Sequence, residues 1–523
     1  MAFDIKTGIY VVYLLFVLGI AVYSYGKIDG PEDLLVAGFE LPLPFVTGSL
    51  IASLLTATYF FTAVGLGFNT GGWEATAVLT GLGSTMILGG IIWTKPLRRL
   101  RGWTMSDYYY RRFGESKIIG AYAGVLMWVA FNIFLVGALT TGGAYIVAAV
   151  LNIDFTTAVF ITAAITALYS MLGGLWAVAY TDTLQAFIGL AGLFFGAFLL
   201  FGDVGWGTLG GTSHWNVPHL LTASGTTFWA FFIVFAVGDL PAADIGQRVA
   251  GSDSPDTARK AMLVAGTIIV IVGFLPGFIG EALQPLYSNP ENAERLFIQY
   301  IDSEMHPVIG GIVLSSIGAA AMSTLDSAYV AGTACLLKNG YLDVINPDAS
   351  DDRLMLYSRI LIGFSALVGA LLAAYFQKAL FLSVLTFDLI FVTLVPPLIF
   401  GVYWKQTNEK ATMLSITVGL VTYILLYQFG NPLAFTSDAF GLSLVASMWS
   451  TVNWVPSVLL STTAIVVGSP CGSRPTPRWM PTSANTTRAT TTPTHPRCSV
   501  TQRTSPDRRT PRTDAEQQFS RPT

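Results

Sequence analysis

Gly238-Asp239-Leu240-Pro241-Ala242-Ala243-Asp244-Ile245-Gly246 interrupts an otherwise apolar run spanning residues 226–247. Proline removes a backbone donor and clashes with the preceding turn. A charge at the centre of a bilayer costs at least about 2.5 kcal/mol, so two acids in such a run need a reason to be there. The stretch is therefore read as a broken helix. A second interruption, Ala52-Ser53-Leu54-Leu55-Thr56-Ala57-Thr58, followed by Gly65 and Gly67, falls within the run 43–69. Unwound backbone at membrane depth is tolerated only where it lines a cavity or binds something. For either run alone, a simple proline kink or close packing through small residues is the plainer alternative.

The rest of the chain has the composition of a membrane protein. Of its 523 residues 53% are hydrophobic and 11% charged, whereas a soluble domain carries about a quarter charged residues. Apolar runs lie near 7–25, 43–69, 73–95, 118–149, 154–172, 175–201, 226–247, 260–284, 308–337, 354–376, 380–404, 411–428 and 443–467. Each is long enough for a helical span, since about 20 residues cross the roughly 30 Å hydrocarbon layer. The expected fold is an all-α polytopic membrane protein of about thirteen helices. The first run is expected to be a span rather than a cleaved signal, because it follows the acidic Asp4 and shows no small-residue cleavage pattern before Asp29.

The two breaks stand five spans apart. Spans two to six and seven to eleven then correspond as two five-helix halves of opposite topology, each opening on a discontinuous helix, the arrangement expected of alternating access. Residues 1–467 form the transport domain. From 468 to 523 the chain is rich in Thr, Pro and Arg and, after Gly468, lacks Lys, Leu and Ile. Such a segment cannot bury enough apolar surface to fold. It reads as a disordered tail or as out-of-frame sequence.

Charge sets the expected orientation. Lys27, Lys95, Arg98, Arg99, Arg101, Arg111, Arg112, Lys117, Arg248, Arg259, Lys260, Lys338, Arg353, Arg359, Lys405 and Lys410 fall on one side of the thirteen-span plan; Lys6, Arg295 and Lys378 fall on the other. The positive-inside rule then places the amino terminus outside and the carboxyl terminus in the cytoplasm of a cell that carries the protein in its plasma membrane.

Chemistry inside the spans is acidic. Asp182, Asp239, Asp244, Asp326 and Asp388 lie within or near the ends of runs, and Glu74 and Glu281 lie at helix margins. No basic residue is read as deep enough to neutralise them, so a metal cation or a proton is their expected partner. In the ninth run Ser323, Thr324, Asp326 and Ser327 fall at helical offsets that bring their oxygens to one side. Sodium, a hard cation, prefers such oxygens, although hydroxyls also satisfy themselves on the preceding turn. Three cysteines form no disulfide or zinc spacing, and the four histidines sit in loops or tail. No nucleophile and base converge, so an enzyme is not expected. Nothing in the sequence points to nucleic acid.

Gly173-Gly174-Leu175-Trp176-Ala177-Val178-Ala179-Tyr180-Thr181-Asp182-Thr183-Leu184-Gln185 leads into the sixth run. Joined with Gln247-Arg248 after the second break, the Ala-x-x-Ser-Thr pattern of Ala320, Ser323 and Thr324, and Pro396-Pro397, it resembles the sodium/solute symporter family. That family includes sodium-coupled sugar, proline, pantothenate and monocarboxylate transporters. The resemblance covers residues 5–467. It implies a leucine-transporter-like fold with a 5+5 inverted-repeat core. It also implies that the carbonyls of Ala52, Leu55 and Ala320 and the hydroxyls of Ser323 and Thr324 hold one sodium as coupling ion. The positions of a second cation site are Asp182, Ser323, Asp326 and Ser327. Asp326 stands where a hydroxyl would be, which leaves sodium and a proton both open there.

Thr56, Tyr59, Glu74 and Asp239 flank the breaks and are expected to face the solute. Leu54 occupies a position often polar in the family, and Ala242 replaces the Asn expected of a sugar transporter. The expected cargo is therefore an amino acid or carboxylate, such as proline or pantothenate, moved with sodium across the lipid bilayer. A solute sensor and a proton-coupled symporter are the alternatives.

Overall fold

The computed structural model describes residues 5–25, 30, 35–206, 215, 217–222, 225–430 and 452–469. The tail from 470 and the first part of the last expected span lie outside the described residues. Among those described, regular structure is helical, apart from one bridge between Leu41 and Ser252. In chain order the principal helices are α1 (Ile5–Tyr25), α2 (Leu43–Leu54), α3 (Ala57–Asn69), α4 (Gly72–Ile92), α5 (Lys117–Leu151) and α6 (Phe155–Val204). There follow α7 (Thr226–Ile233), α8 (Ala243–Gly251), α9 (Pro255–Val272), α10 (Leu275–Leu283), α11 (Leu296–Glu304) and α12 (Pro307–Cys335). The last are α13 (Asp351–Phe376), α14 (Ala379–Tyr403), α15 (Glu409–Phe429) and α16 (Trp454–Gly468).

Nine described helices are long and apolar enough to cross a bilayer, and the bent pair α2 and α3 makes a tenth. Three shorter apolar helices, Ile5–Ile20, Phe155–Met171 and Trp454–Gly468, coincide with the expected first, fifth and thirteenth spans. A count of thirteen depends on these three.

The expected fifth and sixth spans are joined without a loop: helical turns continue from Phe155 to Val204. The two legs nevertheless run in opposite directions. Phe155 lies with Arg295, Met171 lines a crevice with Val330, and Asp203 is bonded by Tyr300. Along the return leg a Cβ on Gly189 would touch Ala320, and one on Gly196 would touch Val313. The chain thus descends beside α12 as far as Val330 and climbs back to the level of Val313.

α12 is the axis of the core. Every residue from Val313 to Cys335 is buried, which suits a helix surrounded by other helices rather than lipid. Peripheral helices behave differently. On α13, Leu356, Ile360, Phe364, Leu367 and Leu371 are exposed at spacings of three and four, forming an apolar stripe for lipid.

Candidate functional site

The first break follows from the local sequence. α2 ends at Leu54, Leu55 leaves the helical region (φ −88°, ψ 57°), and Thr56 is extended while its Oγ1 accepts from the Thr58 N–H at 3.4 Å, starting α3. Threonine is a good helix cap for this reason. The two segments meet at 43°. A helix end leaves its last carbonyls without intrahelical partners, and the carbonyl of Ala52 is one of them. Thr324 Oγ1 donates to it at 3.0 Å, and Ser323 Oγ reaches it at 3.4 Å while bonding the Ala320 carbonyl at 3.0 Å. Ala52, Ala320, Ser323 and Thr324 are all buried and brought together, with Leu55 at the break itself.

The second break is built differently. α7 widens over Val234–Gly238, a turn closes from Asp239 O to Ala242 N at 3.0 Å, and α8 begins at Ala243. Pro241 falls in the turn, where its missing N–H costs no helical bond. The two breaks face each other. Tyr59 lies near the buried acids Asp239 and Asp244, and its ring sits 6.1 Å from that of Phe235 and 6.0 Å from that of Phe387. Asp239 Oδ2 is buried with no partner among the described residues. Thr56 is buried at the same break as Tyr59.

Glu74 stands apart from this group. It is buried in the first turn of α4, at the level of Gly67, whose added Cβ would touch Ala75. Gly67 lies eight residues beyond Tyr59 on α3, about 12 Å along the helix. The reversal between α3 and α4 carries Glu74 away from the breaks; nearness in sequence to Asn69 does not bring it near Tyr59.

The acids of the expected second cation site do converge, but around a residue the sequence reading had placed in a loop. Arg248 is fully buried, with 0% exposure. Its Nη2 donates to Asp182 Oδ2 at 2.8 Å and to the Ser327 hydroxyl, its Nε donates to Ser49 Oγ at 2.6 Å, and its Nη1 donates to the Asp244 carbonyl at 3.1 Å. Ser49 Oγ donates in turn to Asp182 Oδ2 at 2.5 Å. Ser327 Oγ lies 3.1 Å from Asp326 Oδ1 and bonds the Ser323 carbonyl at 2.6 Å. This corrects the expectation that no basic residue lies deep enough to neutralise the acids. The expected span ended at Gln247, whereas α8 continues to Gly251 and carries Arg248 inward.

Charge still does not balance. Asp182 Oδ1 and Asp326 Oδ2 are buried and lack partners among the described residues. Asp182, Asp244 and Asp326 share the field of one guanidinium, and Asp239 adds a further acid beside Asp244. α1 closes the cluster: Tyr13 accepts from Gln185 Nε2 at 2.6 Å, and Tyr10 lies against Met322. Of these added residues only Arg248 had a sequence signal, its place four residues after Asp244. Ser49 and Tyr13 had none.

These breaks, hydroxyls and buried acids can be set beside known proteins. The model of the sodium:solute symporter family matches residues 35–419. The sodium/pantothenate symporter of Escherichia coli (strain K12) is 28% identical over 497 residues, covering 88% of this chain and 96% of that protein. High affinity choline transporter 1 of Homo sapiens is 27% identical over 423 residues, covering 76% and 70% respectively. A solved Na+-coupled sialic acid symporter in a substrate-bound outward-open state superposes with a TM-score of 0.70 at 18% identity, over 90% of this chain and 99% of that one, and so shares the fold. A family match over most of a chain that also carries the paired breaks leads to one assignment: the protein belongs to the sodium:solute symporter family and is a multi-pass membrane transporter, not an enzyme, that couples solute movement to sodium.

Proposed function

We propose that the coupling sodium binds between the first break and α12, held by the carbonyls of Ala52, Leu55 and Ala320 and the hydroxyls of Ser323 and Thr324. The observation that carries this reading is the meeting of both hydroxyls with the Ala52 carbonyl, a buried carbonyl left over by the end of α2. A cation entering there would replace hydroxyl–carbonyl bonds with oxygen–cation bonds and tie α2 to α12. That tie favours the outward-open state by differential binding. Loss of sodium to the cytoplasm then releases the two helices. One sodium moving down about 100 mV yields roughly 2.3 kcal/mol, and a tenfold gradient adds roughly 1.4 kcal/mol. Together they sustain about a 500-fold solute gradient.

The solute sits between the breaks, against Thr56, Tyr59 and Asp239. The N-terminal ends of α3 and α8 are the positive ends of their helix dipoles and suit a carboxylate, and the free Asp239 oxygen suits an ammonium group. An amino acid carries both. A small amino acid such as proline is thus favoured over a carboxylate such as pantothenate, and either over a sugar. Glu74 shapes the entrance rather than touching the solute. Arg248 fills the position between Asp182 and Ser327, so the second site needs no sodium, and the surplus acid Asp326 is the place for a proton.

Uptake into proteoliposomes of a labelled panel of amino acids, carboxylates and pantothenate, with sodium and pH gradients imposed separately, tests the reading. Ser323→Ala with Thr324→Ala is expected to abolish sodium stimulation while leaving insertion intact. Undiminished sodium dependence would remove this site from the mechanism.

A further inference from the structure

Asp388 takes no part in either break, yet it lies in the middle of α14, where a charge is expensive. Its Oδ2 accepts from the Tyr423 hydroxyl at 2.8 Å; its Oδ1 is buried with no partner among the described residues. The carboxyl lines a cavity of ≈ 300 Å³ between α7, α14, α15 and the start of α16. Among the described residues no Lys or Arg lines that cavity. Phe231, Phe381, Tyr427 and Trp454 do, and Trp454 is buried and held against Phe391 with ring centres 4.9 Å apart. A wall of aromatic rings separates this space from the sites described above. Phe387, the neighbour of Asp388, and Phe235, the neighbour of the cavity-lining Val234, lie 5.0 Å apart, and both pack on Tyr59.

We propose that this cavity is a second binding site, distinct from the break site, for a small organic cation carrying an ammonium group. The chemistry selects that class. A carboxylate oxygen without a partner attracts a positive charge, and aromatic faces attract a diffuse cation through their quadrupoles. The volume lies at the lower end of the range found for small-molecule pockets. A bare sodium ion would need a shell of oxygen donors, and here the lining is mostly carbon. A ligand seated on Asp388 would rest on α7 and α14 together, the first and last helices of the expected second half, and on α15 and α16 outside it.

The test uses the purified full-length protein with choline and tetramethylammonium as probes and 3,3-dimethylbutan-1-ol as the uncharged counterpart of choline, read by calorimetry. Both cations are expected to bind, the alcohol not. Asp388→Asn keeps an oxygen for Tyr423 and is expected to weaken cation binding at least about tenfold. Leu385→Trp, which fills the cavity and leaves the Asp388 side chain unaltered, should do the same if the first variant folds poorly. Asp239→Asn should leave the binding intact. The proposal is overturned if neither cation binds by about 10 mM, if the alcohol binds equally, if Asp388→Asn and Leu385→Trp both bind normally, or if Asp239→Asn abolishes binding and so places the cation at the break. Loss of sodium-driven uptake in the Ser323 and Thr324 variant alters none of these outcomes, so the two readings can fail separately.

Discussion

Arg248 shows how one side chain sets the electrostatics of the core. Among the described residues its guanidinium is the base shared by the buried acids Asp182, Asp244 and Asp326, and it is tied to three other helices through Ser49, Asp182 and Ser327. Removing one partner of a buried ion pair typically costs about 3–5 kcal/mol, because the other charge is left without compensation. Arg248→Ala is expected to lose about that much stability, and Arg248→Ala with Asp182→Ala to recover part of it. Thermal unfolding of the four proteins of the cycle in detergent measures the coupling; strict additivity of the two single losses would show that the pair does not act as a unit. Sequence reasoning identified Asp182 and missed its partner for a physical reason. Hydropathy scores an arginine by its transfer cost alone, and that cost places it in a loop unless the acids that repay it are known to lie opposite.

Glycines at helix crossings decide how closely the elements approach. Gly83 of α4 and Gly266 of α9 face each other, so that a Cβ on Gly83 would lie 2.7 Å from the Gly266 carbonyl oxygen and from the Val270 nitrogen. Both are backbone atoms and cannot swing aside. Gly83→Val is expected to force the helices apart at a cost of about 1–3 kcal/mol or more, whereas Gly202→Val, with nothing within 4 Å of its added Cβ, should be neutral. Fluorescence-detected size exclusion after heating compares the two, and equal survival would count against this crossing as a tight contact. The helices themselves were largely legible, because long apolar runs and the break residues Thr56 and Pro241 act locally. The continuous α6 was not. Its reversal between Met171 and Val178 leaves no polar loop in the sequence, and the two legs are recognised only by what they touch on α12. The placing of Glu74 is a case of the same kind: its distance from Tyr59 depends on the path of the chain between α3 and α4.

Contacts at the ends of the helices sort the molecule into two faces. Lys6 bonds Asp302 at 2.7 Å, Glu294 accepts from the Ala379 and Leu380 N–H groups beside Lys378, and Arg295 covers Phe155. On the opposite face Lys95 pairs with Asp256 at 2.6 Å, Arg98 donates to the Ser252 carbonyl, Arg112 donates to the carbonyls of Gly401 and Trp404, and Ser116 bonds Glu409. The division is the one expected from the distribution of lysine and arginine along the chain. Some of the positive excess is committed to structure, since Arg98 and Arg112 are buried against backbone carbonyls. On the orientation expected from the positive-inside rule the second face is the cytoplasmic one. That assignment predicts labelling. Cys335 is buried in the core, so in a protein with Cys471 and Cys498 replaced by serine a cysteine placed at an exposed helix end is the main reactive thiol. Lys378→Cys is expected to react with a membrane-impermeant maleimide in intact cells, whereas Lys405→Cys should react only after the membrane is opened. Both positions are exposed, which removes burial as an explanation for a missing label. Labelling of Lys405→Cys in intact cells, with Lys378→Cys protected, would invert the transporter. The sodium described here as entering would then have to approach the first break from the other side.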